Sequence, residues 1–423
     1  MAFKAGFAEA DITPPVGTHK IGWIKDIVSD EVLDPLFARA AVFESGEGRL
    51  GIVQLDTLCA PASLVTGIRQ AIAAEHGFPG EHVMVSATHN HAGPAVANAG
   101  EVKRDDAYVD TLIGKIVEVF GDALASMAPA QLGFGRRFEF NVGFNRRVVM
   151  RDGTVKTHGR FSDPDALCFE SPIDPEVAVV GVRSADGPLL GALVNFACHP
   201  THHGPSGALS AGWPGVLARE MTPRGCPVTL FLQGAAGNVH TSNPATGQDR
   251  PMEEVGKALA DHVAAALGAM EFTDDVRLGC RSKTIDLPRR EPTDEQVQGT
   301  AFGAQRFVAP AIYDRVIPQL IERYRESPTE AAEVQAFFLN DIVIPAVPAE
   351  YFAEYALRIK QAAWPKQALV VACANGMLGY VPTREAFAHG GYETTFGPPS
   401  RMAPEAGDLL ADALVRLING KEN

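Results

Sequence analysis

Histidines follow a predicted strand at the point where that strand ends. His89 and His91 lie in the segment 88–94, directly after the apolar run 82–88. Alternate residues of an extended chain share a face, so the two imidazoles could point the same way. Neutral imidazole is the commonest zinc ligand, and an HxH at the carboxyl edge of a strand is therefore a candidate metal site. Two solvated loop histidines are the alternative for a motif this short.

A second strand runs into histidines further along the chain. His199 and His202 follow the apolar segment 190–197, and each lies just past a predicted strand end. Catalytic zinc usually takes three protein ligands and one water, so histidines gathered at strand ends favour the metal interpretation. Cys198 would point away from His199 on a strand and is expected to pack in the core.

A glycine-rich turn follows a third apolar strand, at 231–240. Gly237 and Asn238 lie within this turn and His240 ends it. Small residues there would let the backbone approach a ligand closely. The turn matches neither a Walker A nor a dinucleotide-binding pattern, and a purely structural turn is an equal alternative.

Glu350 lies where a predicted strand turns into a predicted helix. A glutamate in the first helical turn is favoured by the helix dipole alone. Nothing local distinguishes that role from metal ligation.

The elements that would position these residues alternate between strands and helices, which favours one large α/β domain over residues 1–423. The segment 141–165, rich in Arg, Gly and Asp, is expected to be a long loop or hairpin, and long loops within domains are often functional. Strands are expected at 50–56, 82–88, 177–183, 190–197, 227–232, 337–347 and 368–374. Helices are expected at 63–76, 106–127, 253–270, 350–363 and 405–419, and at 293–325 with interruptions at Pro310 and Pro318.

Composition excludes several classes of protein. The 423 residues include 37 Lys+Arg and 51 Asp+Glu, a net charge of −14, which argues against a nucleic-acid binder. No apolar run is long enough to span a membrane, and the first residues lack the apolar stretch of a signal peptide. Six cysteines without a CxxC pair suit a reducing compartment. We therefore expect a cytoplasmic protein without membrane contact.

Taken in order along the chain, these segments resemble the zinc hydrolase domain of the neutral, non-lysosomal ceramidase family. The resemblance covers most of the chain, and the motifs, short singly, are specific in this order. They are DITPPVG (11–17), DPLFARA (34–40), THNHAGP (88–94), NRR (145–147), DPEV (174–177), FACHPT (196–201), LQGAAGNVH (232–240), VPAE (347–350), CAN (373–375), GYE (391–393) and FGP (396–398).

The resemblance implies one zinc ion per chain, held by His89, His199, Glu350 and Tyr380. It further implies that His91 moves protons, that Tyr392 stabilises an oxyanion and that Arg146 contacts the substrate, and we expect Arg146 to stabilise the oxyanion together with Tyr392. A catalytic role for His240, and substrate contacts by His202, Gly237 and Asn238, complete the expected site. The implied fold is a single large mixed-sheet domain. The chain ends soon after Tyr380, so we expect no C-terminal immunoglobulin-like domain.

Two departures from the family pattern bear on the substrate. His240 stands where the family has a serine associated with ceramide handling, and Gly212 stands where it has an aspartate. They favour a small, soluble N-acyl or cyclic amide over a long-chain membrane lipid. Arg146, Arg147 and nearby arginines suggest that the substrate carries an anionic group.

The sequence thus predicts a zinc-dependent amidohydrolase acting on a small-molecule substrate through an activated water. The alternatives are a zinc esterase or lactonase, and a non-catalytic zinc-binding protein. The stretch 311–325 carries enough apolar surface for a homo-oligomer interface.

Overall fold

The computed structural model describes residues 2–307 and 310–421, and it contains the expected alternation of strands and helices. The helices are α1 (Ala62–His76), α2 (Asp106–Ala125), α3 (Gly212–Met221), α4 (Met252–Gly268), α5 (Asp294–Gln298), α6 (Pro310–Glu326), α7 (Ala353–Ala363), α8 (Arg384–His389) and α9 (Ala406–Asn419). Short 3-10 turns are found at Gly80–His82, Thr222–Arg224 and Tyr392–Thr394.

The strands vary from two to eleven residues in length. They are β1 (Lys4–Asp11), β2 (His19–Ile21), β3 (Ile27–Val28), β4 (Glu31–Val32), β5 (Phe37–Ser45), β6 (Gly48–Leu55), β7 (Val83–Ala87), β8 (Gly93–Pro94), β9 (Ala128–Phe138), β10 (Phe144–Asn145), β11 (Arg147–Met150), β12 (Val155–Thr157), β13 (Ala166–Phe169), β14 (Glu176–Ser184), β15 (Leu189–Phe196), β16 (Ala208–Leu209), β17 (Thr229–Gln233), β18 (Val239–His240), β19 (Phe272–Thr273), β20 (Leu278–Pro288), β21 (Thr329–Leu339), β22 (Ile342–Ala346), β23 (Glu350–Tyr351), β24 (Gln367–Ala368) and β25 (Tyr380–Val381).

The largest sheet is mixed and has the strand order β17-β15-β14-β9-β1-β5-β6-β7, with β19 added beside β9. The pairs β6–β7 and β15–β17 are parallel, whereas the other neighbours along this order are antiparallel. The predicted hairpin of 177–183 with 190–197 is confirmed as β14 and β15. The predicted mixed-sheet α/β fold is likewise confirmed.

A smaller sheet, β20-β21-β22-β24, packs on one face of the large sheet, so that the molecule has four layers. Phe43 and Ile52 of the large sheet share one buried cluster with Phe337 and Ile344 of the small sheet. The helices α1 to α4 cover the opposite face of the large sheet, and α7 and α9 cover the outer face of the small one. Strands such as β6 and β22 are therefore buried on both faces, which explains their near-continuous apolar residues.

The segment 370–375 bridges the two edge strands of the large sheet. The Ala372 amide donates to the Gln233 carbonyl at the end of β17, and the Asn375 amide donates to Val85 of β7. The Asn375 side chain accepts from the Val85 amide at 2.9 Å. This bridge brings the carboxyl ends of β7, β15 and β17 together beside the small sheet.

Several predicted element boundaries are wrong. The strand predicted at 368–374 is reduced to β24, because its remainder bonds to two sheet edges through the left-handed residues Cys373 (φ 52°) and Asn375 (φ 59°). The predicted strand 337–347 is a hairpin of β21 and β22 that turns at Asn340 (φ 56°). For the segment 141–165 the hairpin alternative is the right one, because β11 and β12 pair antiparallel within it.

Helix α6 also differs from expectation. Pro310 begins the helix, as a proline can because its missing N–H would lack an intrahelical partner, and Pro318 lies inside it. Its apolar side chains, Ile312, Ile317 and Leu320, pack against the chain's own Ile24 and Phe396. The apolar surface offered as an oligomer interface is therefore used internally, and oligomerisation stays a prediction. No helix in the described part of the chain is long and apolar enough to cross a membrane.

Candidate active site

Three buried histidines converge where the ends of β7 and β15 meet. The Nε2 atoms of His89 and His199 lie 3.0 Å apart, and that of His91 lies 3.4 Å from His89 Nε2. His89 follows β7 with a left-handed backbone (φ 64°), so the two rings of the HxH converge through a turn rather than through strand alternation. The His91 amide donates to the Pro200 carbonyl, which fastens the two histidine segments to each other.

Hydrogen bonds to the backbone orient all three rings. The Nδ1 atoms of His89, His91 and His199 lie 2.8, 2.7 and 2.9 Å from the carbonyl oxygens of Leu58, Gly22 and Ala236. A carbonyl only accepts, so each Nδ1 carries a proton, and each ring that is neutral presents a lone pair at Nε2. Lone pairs gathered at such distances repel one another unless a cation lies between them, and this second-layer pattern is the one found around metal-binding histidines.

Glu350 completes the cluster with a carboxylate. Its Oε2 atom lies 3.3 Å from His89 Nε2 and 3.5 Å from His199 Nε2. That oxygen is buried and has no hydrogen-bond partner in the described part of the structure. In a tetrahedral zinc site with ligands at 2.0–2.1 Å, donor atoms lie about 3.3–3.4 Å apart. The two imidazoles and the carboxylate therefore fit a zinc ion.

Glu350 does not lie in the first turn of a helix, which was the alternative to metal ligation. Helix α7 begins at Ala353, and Glu350 lies in β23, whose parallel partner is β25. The helix-dipole explanation is therefore wrong, because this carboxylate precedes the helix. In the β23–β25 ladder Glu350 is the register partner of Tyr380, which brings these two residues side by side.

A metal ion held by His89, His199 and Glu350 would take a fourth ligand, and the two side chains placed to supply it are those of Tyr380 and His91. The ring of Tyr380 stacks on His199 with centroids 6.3 Å apart, and the Arg146 guanidinium lies 5.4 Å from the Tyr380 ring centroid. Burial raises the pKa of the Tyr380 phenol, and the charge of Arg146 opposes that rise. His91 is the third member of the compact cluster formed with His89 and His199. The ligand set predicted from the resemblance stays a prediction.

Two of the three imidazoles are neutral. Burial would lower the pKa of His89, but Cys373 and Glu350 raise it well above the usual value, so this ring carries a proton when no metal is bound. Burial, followed by that positive charge, lowers the pKa of both His91 and His199 well below the usual value. Both rings are therefore unprotonated at Nε2 near neutral pH, as metal ligation or proton acceptance requires. The thiol of Cys373 also lies beside His89.

A buried ion network lies behind the cluster. Arg146 donates from Nε to Glu393 at 2.7 Å and from Nη2 to the Gly237 carbonyl at 2.8 Å. Arg147 donates to the other Glu393 oxygen at 2.7 Å and pairs with Glu170. Arg147 is fully buried and its guanidinium also donates to the Gly390 carbonyl. The expectation that Arg147 recognises an anionic substrate is therefore wrong, because its charge is compensated inside the protein.

Tyr392 stands at the edge of the same cluster. Its ring stacks on Phe307 with centroids 4.9 Å apart and meets the Tyr380 ring edge-on at 5.6 Å. Burial raises the pKa of its phenol well above the usual value, so the hydroxyl keeps its proton. A protonated phenol can donate a hydrogen bond to a developing negative charge.

Hydrogen bonds and close contacts within the protein hold the glycine-rich turn at 231–240 in place. Asn238 donates to Glu354 at 2.8 Å and accepts from the Ala353 amide at 3.0 Å. At Gly237, a Cβ would meet the Glu350 carbonyl oxygen at 2.6 Å, so only glycine allows this close approach. The structure therefore gives both residues a part in placing Glu350, and their predicted substrate contacts stay predictions.

His240 and His202 also form hydrogen bonds with other residues of the protein. His240 Nδ1 accepts from the Ser242 amide at 2.9 Å, so its proton is on Nε2, which lies 2.6 Å from the Thr201 hydroxyl. His202 Nε2 bonds to the Arg250 carbonyl at 2.7 Å. A bound Nε2 proton leaves His240 poorly placed as a base, and its predicted catalytic role stays untested.

Residues that the sequence did not single out also line this region. His158 (φ 57°) packs its ring edge against His240 at 4.8 Å, and Trp23 meets His91 at 6.2 Å. The ring of Phe307 packs against those of both His158 and Tyr392, with centroids 6.3 and 4.9 Å away. Each is a single aromatic residue or histidine in an irregular segment, so no periodicity or spacing marks it.

Comparison with known proteins agrees with the fold and with the resemblance. No protein-family model matches the chain. The neutral ceramidase of Pseudomonas aeruginosa is 23% identical over 462 aligned positions, which cover 90% of this chain and 67% of that protein. The crystal structure of neutral ceramidase from Pseudomonas aeruginosa superposes with a TM-score of 0.78 at 21% identity, over 99% of this chain and 74% of that one. The structure of a ceramidase complexed with C2 superposes with a TM-score of 0.77 at 18% identity, over 99% of this chain and 75% of that one.

These likenesses confirm the neutral-ceramidase-like character of the chain and its fold. At such identities the superposed structures speak for the fold alone. The chemistry of this site rests on its own residues.

The metal content of the purified protein tests the cluster. We expect about one zinc ion per chain, lost in His89→Ala and in His199→Ala because each removes a converging donor. Elemental analysis after gel filtration measures it. His19→Ala, which changes an exposed histidine paired with Asp26, is the matched control and should keep its zinc. A native protein free of metal would refute the cluster as a metal site.

The ion network makes a prediction about stability and pH. The substitution Glu393→Gln leaves Arg146 and Arg147 buried with too little negative charge and should cost about 3–5 kcal/mol of unfolding free energy. Burial would raise the pKa of Glu393, but Arg146 and Arg147 lower it to about 2. Its contribution is therefore present above the ordinary carboxyl pKa of about 4.3 and is lost as pH falls toward 2.

Denaturant unfolding of the native and Glu393→Gln proteins between pH 7 and pH 2.5 measures this contribution. The difference between the two proteins should be constant above about pH 5 and should shrink below it. A difference that stays the same down to pH 2.5 would contradict the assigned charge state of Glu393.

Proposed function

We propose that this neutral-ceramidase-like protein is a zinc-dependent amidohydrolase that cleaves the C–N bond of a small, soluble N-acyl or cyclic amide. The observation that carries the proposal is the convergence of three imidazole Nε2 atoms on an unpartnered buried carboxylate, beside a protonated phenol. The sequence relationship to a neutral ceramidase supports the choice of an amide.

His89, His199 and Glu350 would hold the zinc ion, with Tyr380 as the proposed fourth ligand. Bound there, zinc would polarise the substrate carbonyl and activate a water for attack. The protein's part is to fix the donors: two backbone carbonyls orient His89 and His199, and the Gly237 turn packs against the backbone of Glu350.

Tyr392 and His91 carry the proposed proton and charge chemistry. The Tyr392 hydroxyl donates to the carbonyl oxygen as negative charge develops on it. His91 holds a proton on Nδ1 against the Gly22 carbonyl, so Nε2 can accept a proton from the attacking water and return it to the leaving nitrogen. Arg146 packs its guanidinium on Tyr380, and Glu393 fixes its position.

The surroundings favour an uncharged substrate group near the metal. The charge of Arg146 is compensated by Glu393, and that of Arg147 by Glu393 and Glu170. The region instead offers aromatic and imidazole surfaces from Trp23, His158 and Phe307. We therefore propose a small amide whose recognition depends on ring contacts and hydrogen bonds rather than on an ion pair.

A Tyr392→Phe variant tests the oxyanion role. Removing one donor to a developing oxyanion should lower kcat by about 10²–10³ and leave zinc content and KM nearly unchanged, because the hydroxyl acts mainly in the transition state. Tyr355→Phe, on a tyrosine that stacks on Tyr351 in the α7–α9 layer, is the control and should keep full activity. Full turnover by Tyr392→Phe would remove this residue from the mechanism.

A panel of matched amides and esters on the zinc-loaded protein tests the reaction class. Each acyl group would be offered as an N-acyl amide, as a lactam and as the corresponding ester or lactone. We expect amide hydrolysis with a higher kcat/KM for short soluble acyl groups than for detergent-dispersed long-chain ones. Turnover confined to esters and lactones would instead favour an esterase, and zinc-loaded protein inactive on the whole panel would favour a binding protein.

A further inference from the structure

A second cavity, distinct from the histidine cluster, is rich in arginine. It has a volume of about 260 Å³ and lies between the end of β20, the last turns of α6 and the segment 396–401. Its lining includes four arginines and one acid, with three apolar or aromatic side chains. These residues are Arg289, Arg290, Arg323, Arg401 and Glu330, with Leu320, Tyr324 and Phe396.

The charges of this arginine pocket do not balance. Glu330 is paired with Arg401 at 3.0 Å and with Arg289 at 3.3 Å, so one carboxylate is shared between two guanidinium groups. Burial would raise the pKa of Glu330, but these two arginines lower it, so the carboxylate is fully ionised. Even so, the lining carries three more positive charges than negative ones. Such an excess is unusual in a chain with a net charge of −14.

Arg290 is a buried charge without a carboxylate partner among the described residues, and its guanidinium lies 4.7 and 5.8 Å from the ring centroids of Phe387 and Phe396. It is 5% exposed, and it donates to the carbonyls of Met402 and Thr394 and to the Ser400 hydroxyl, all of which are neutral. Burial lowers its pKa to about 9, and no carboxylate among the described residues bonds to it. Its five N–H donors exceed its three acceptors. A buried cation without a counter-charge is costly, and an anion in the pocket would remove that cost.

Further donors surround the same volume. Nε and Nη2 of Arg401 are bonded to Glu330, and Nε of Arg289 is bonded there too. Within the described ranges, Arg401 Nη1, Arg289 Nη2 and the Arg323 guanidinium have no acceptor. These residues line the cavity from three parts of the chain, namely the end of β20, helix α6 and the segment 396–401.

We propose that the arginine pocket binds a tetrahedral oxyanion, such as a phosphate group. Guanidinium forks match phosphate oxygens, and a dianion with oxygens on several sides can satisfy forks from several directions at once. A carboxylate has one charge and one plane of acceptors, so it meets fewer of these donors. The proposal does not depend on the metal centre or on the proposed amidohydrolase activity.

The pocket is connected to the segment that carries Tyr392. Arg290 holds Thr394, Ser400 and Met402, and the Pro399 carbonyl of that segment accepts from the Tyr380 amide at 2.8 Å. An anion that neutralises Arg290 would therefore stabilise the segment 394–402 behind the histidine cluster. A bound oxyanion should thus raise the resistance of the whole fold to unfolding.

Titration of the full chain with inorganic phosphate, at constant ionic strength, tests the proposal. Isothermal titration calorimetry should give a saturable site with one phosphate per chain, and Tm should rise by on the order of a few degrees at saturation. Arg323→Gln, which removes a solvent-accessible donor and should not impair folding, should weaken binding about 10-fold or more. Arg325→Gln changes an exposed arginine on the same helix outside the cavity and should bind as the native protein does.

Two further arms separate the alternatives. Phosphate should bind equally well to His199→Ala, because the pocket is separate from the histidine cluster, and acetate should bind more weakly than phosphate. No saturable binding, equal binding by Arg323→Gln, or loss of binding in His199→Ala would each overturn the proposal. Acetate binding as tightly as phosphate would overturn its tetrahedral class.

Discussion

The geometry of the histidine cluster depends on three hydrogen bonds, in each of which a histidine Nδ1–H group donates to a backbone carbonyl. Once Nδ1 of His89, His91 and His199 is used in this way, their Nε2 atoms converge, and His89 Nε2 lies 3.0 Å from that of His199 and 3.4 Å from that of His91. The unpartnered oxygen of Glu350 adds a negative charge to the same point. Buried donors do not converge in this way without a cation, since both the lone pairs and the carboxylate would otherwise lose their hydration.

The fold supplies this convergence through connections that are distant in sequence. The bridge at 370–375 draws β7 and β17 together, and the β23–β25 ladder places Glu350 beside Tyr380. Behind them, Glu393 fixes Arg146 and Arg147 in a buried network that cannot move without exposing an uncompensated charge. The cluster therefore lies on a rigid support, as precise ligand placement requires.

Particular residues show how far the sequence could predict this site. His89 and His199 could be predicted because each follows an apolar strand, and strand ends meet at one edge of a sheet. The local pattern around Glu350 suits a helix start as well as a ligand, so only the resemblance indicates ligation, and its position depends on the ladder with Tyr380. The role of Arg147 cannot be predicted from the local sequence, because its partners Glu170 and Glu393 are remote in sequence. His158 and Phe307 gave no signal, because irregular segments have no period to interpret.

X-ray absorption at the zinc edge, on the native protein, tests the central claim most directly. We expect nitrogen and oxygen ligands only, at about 2.0–2.1 Å, with two imidazoles in the fitted shell. A third imidazole would show that His91 is a ligand and would contradict its role as the proton carrier. A sulfur scatterer at about 2.3 Å would place Cys373, which lies beside His89, on the metal and would contradict the proposed ligand set.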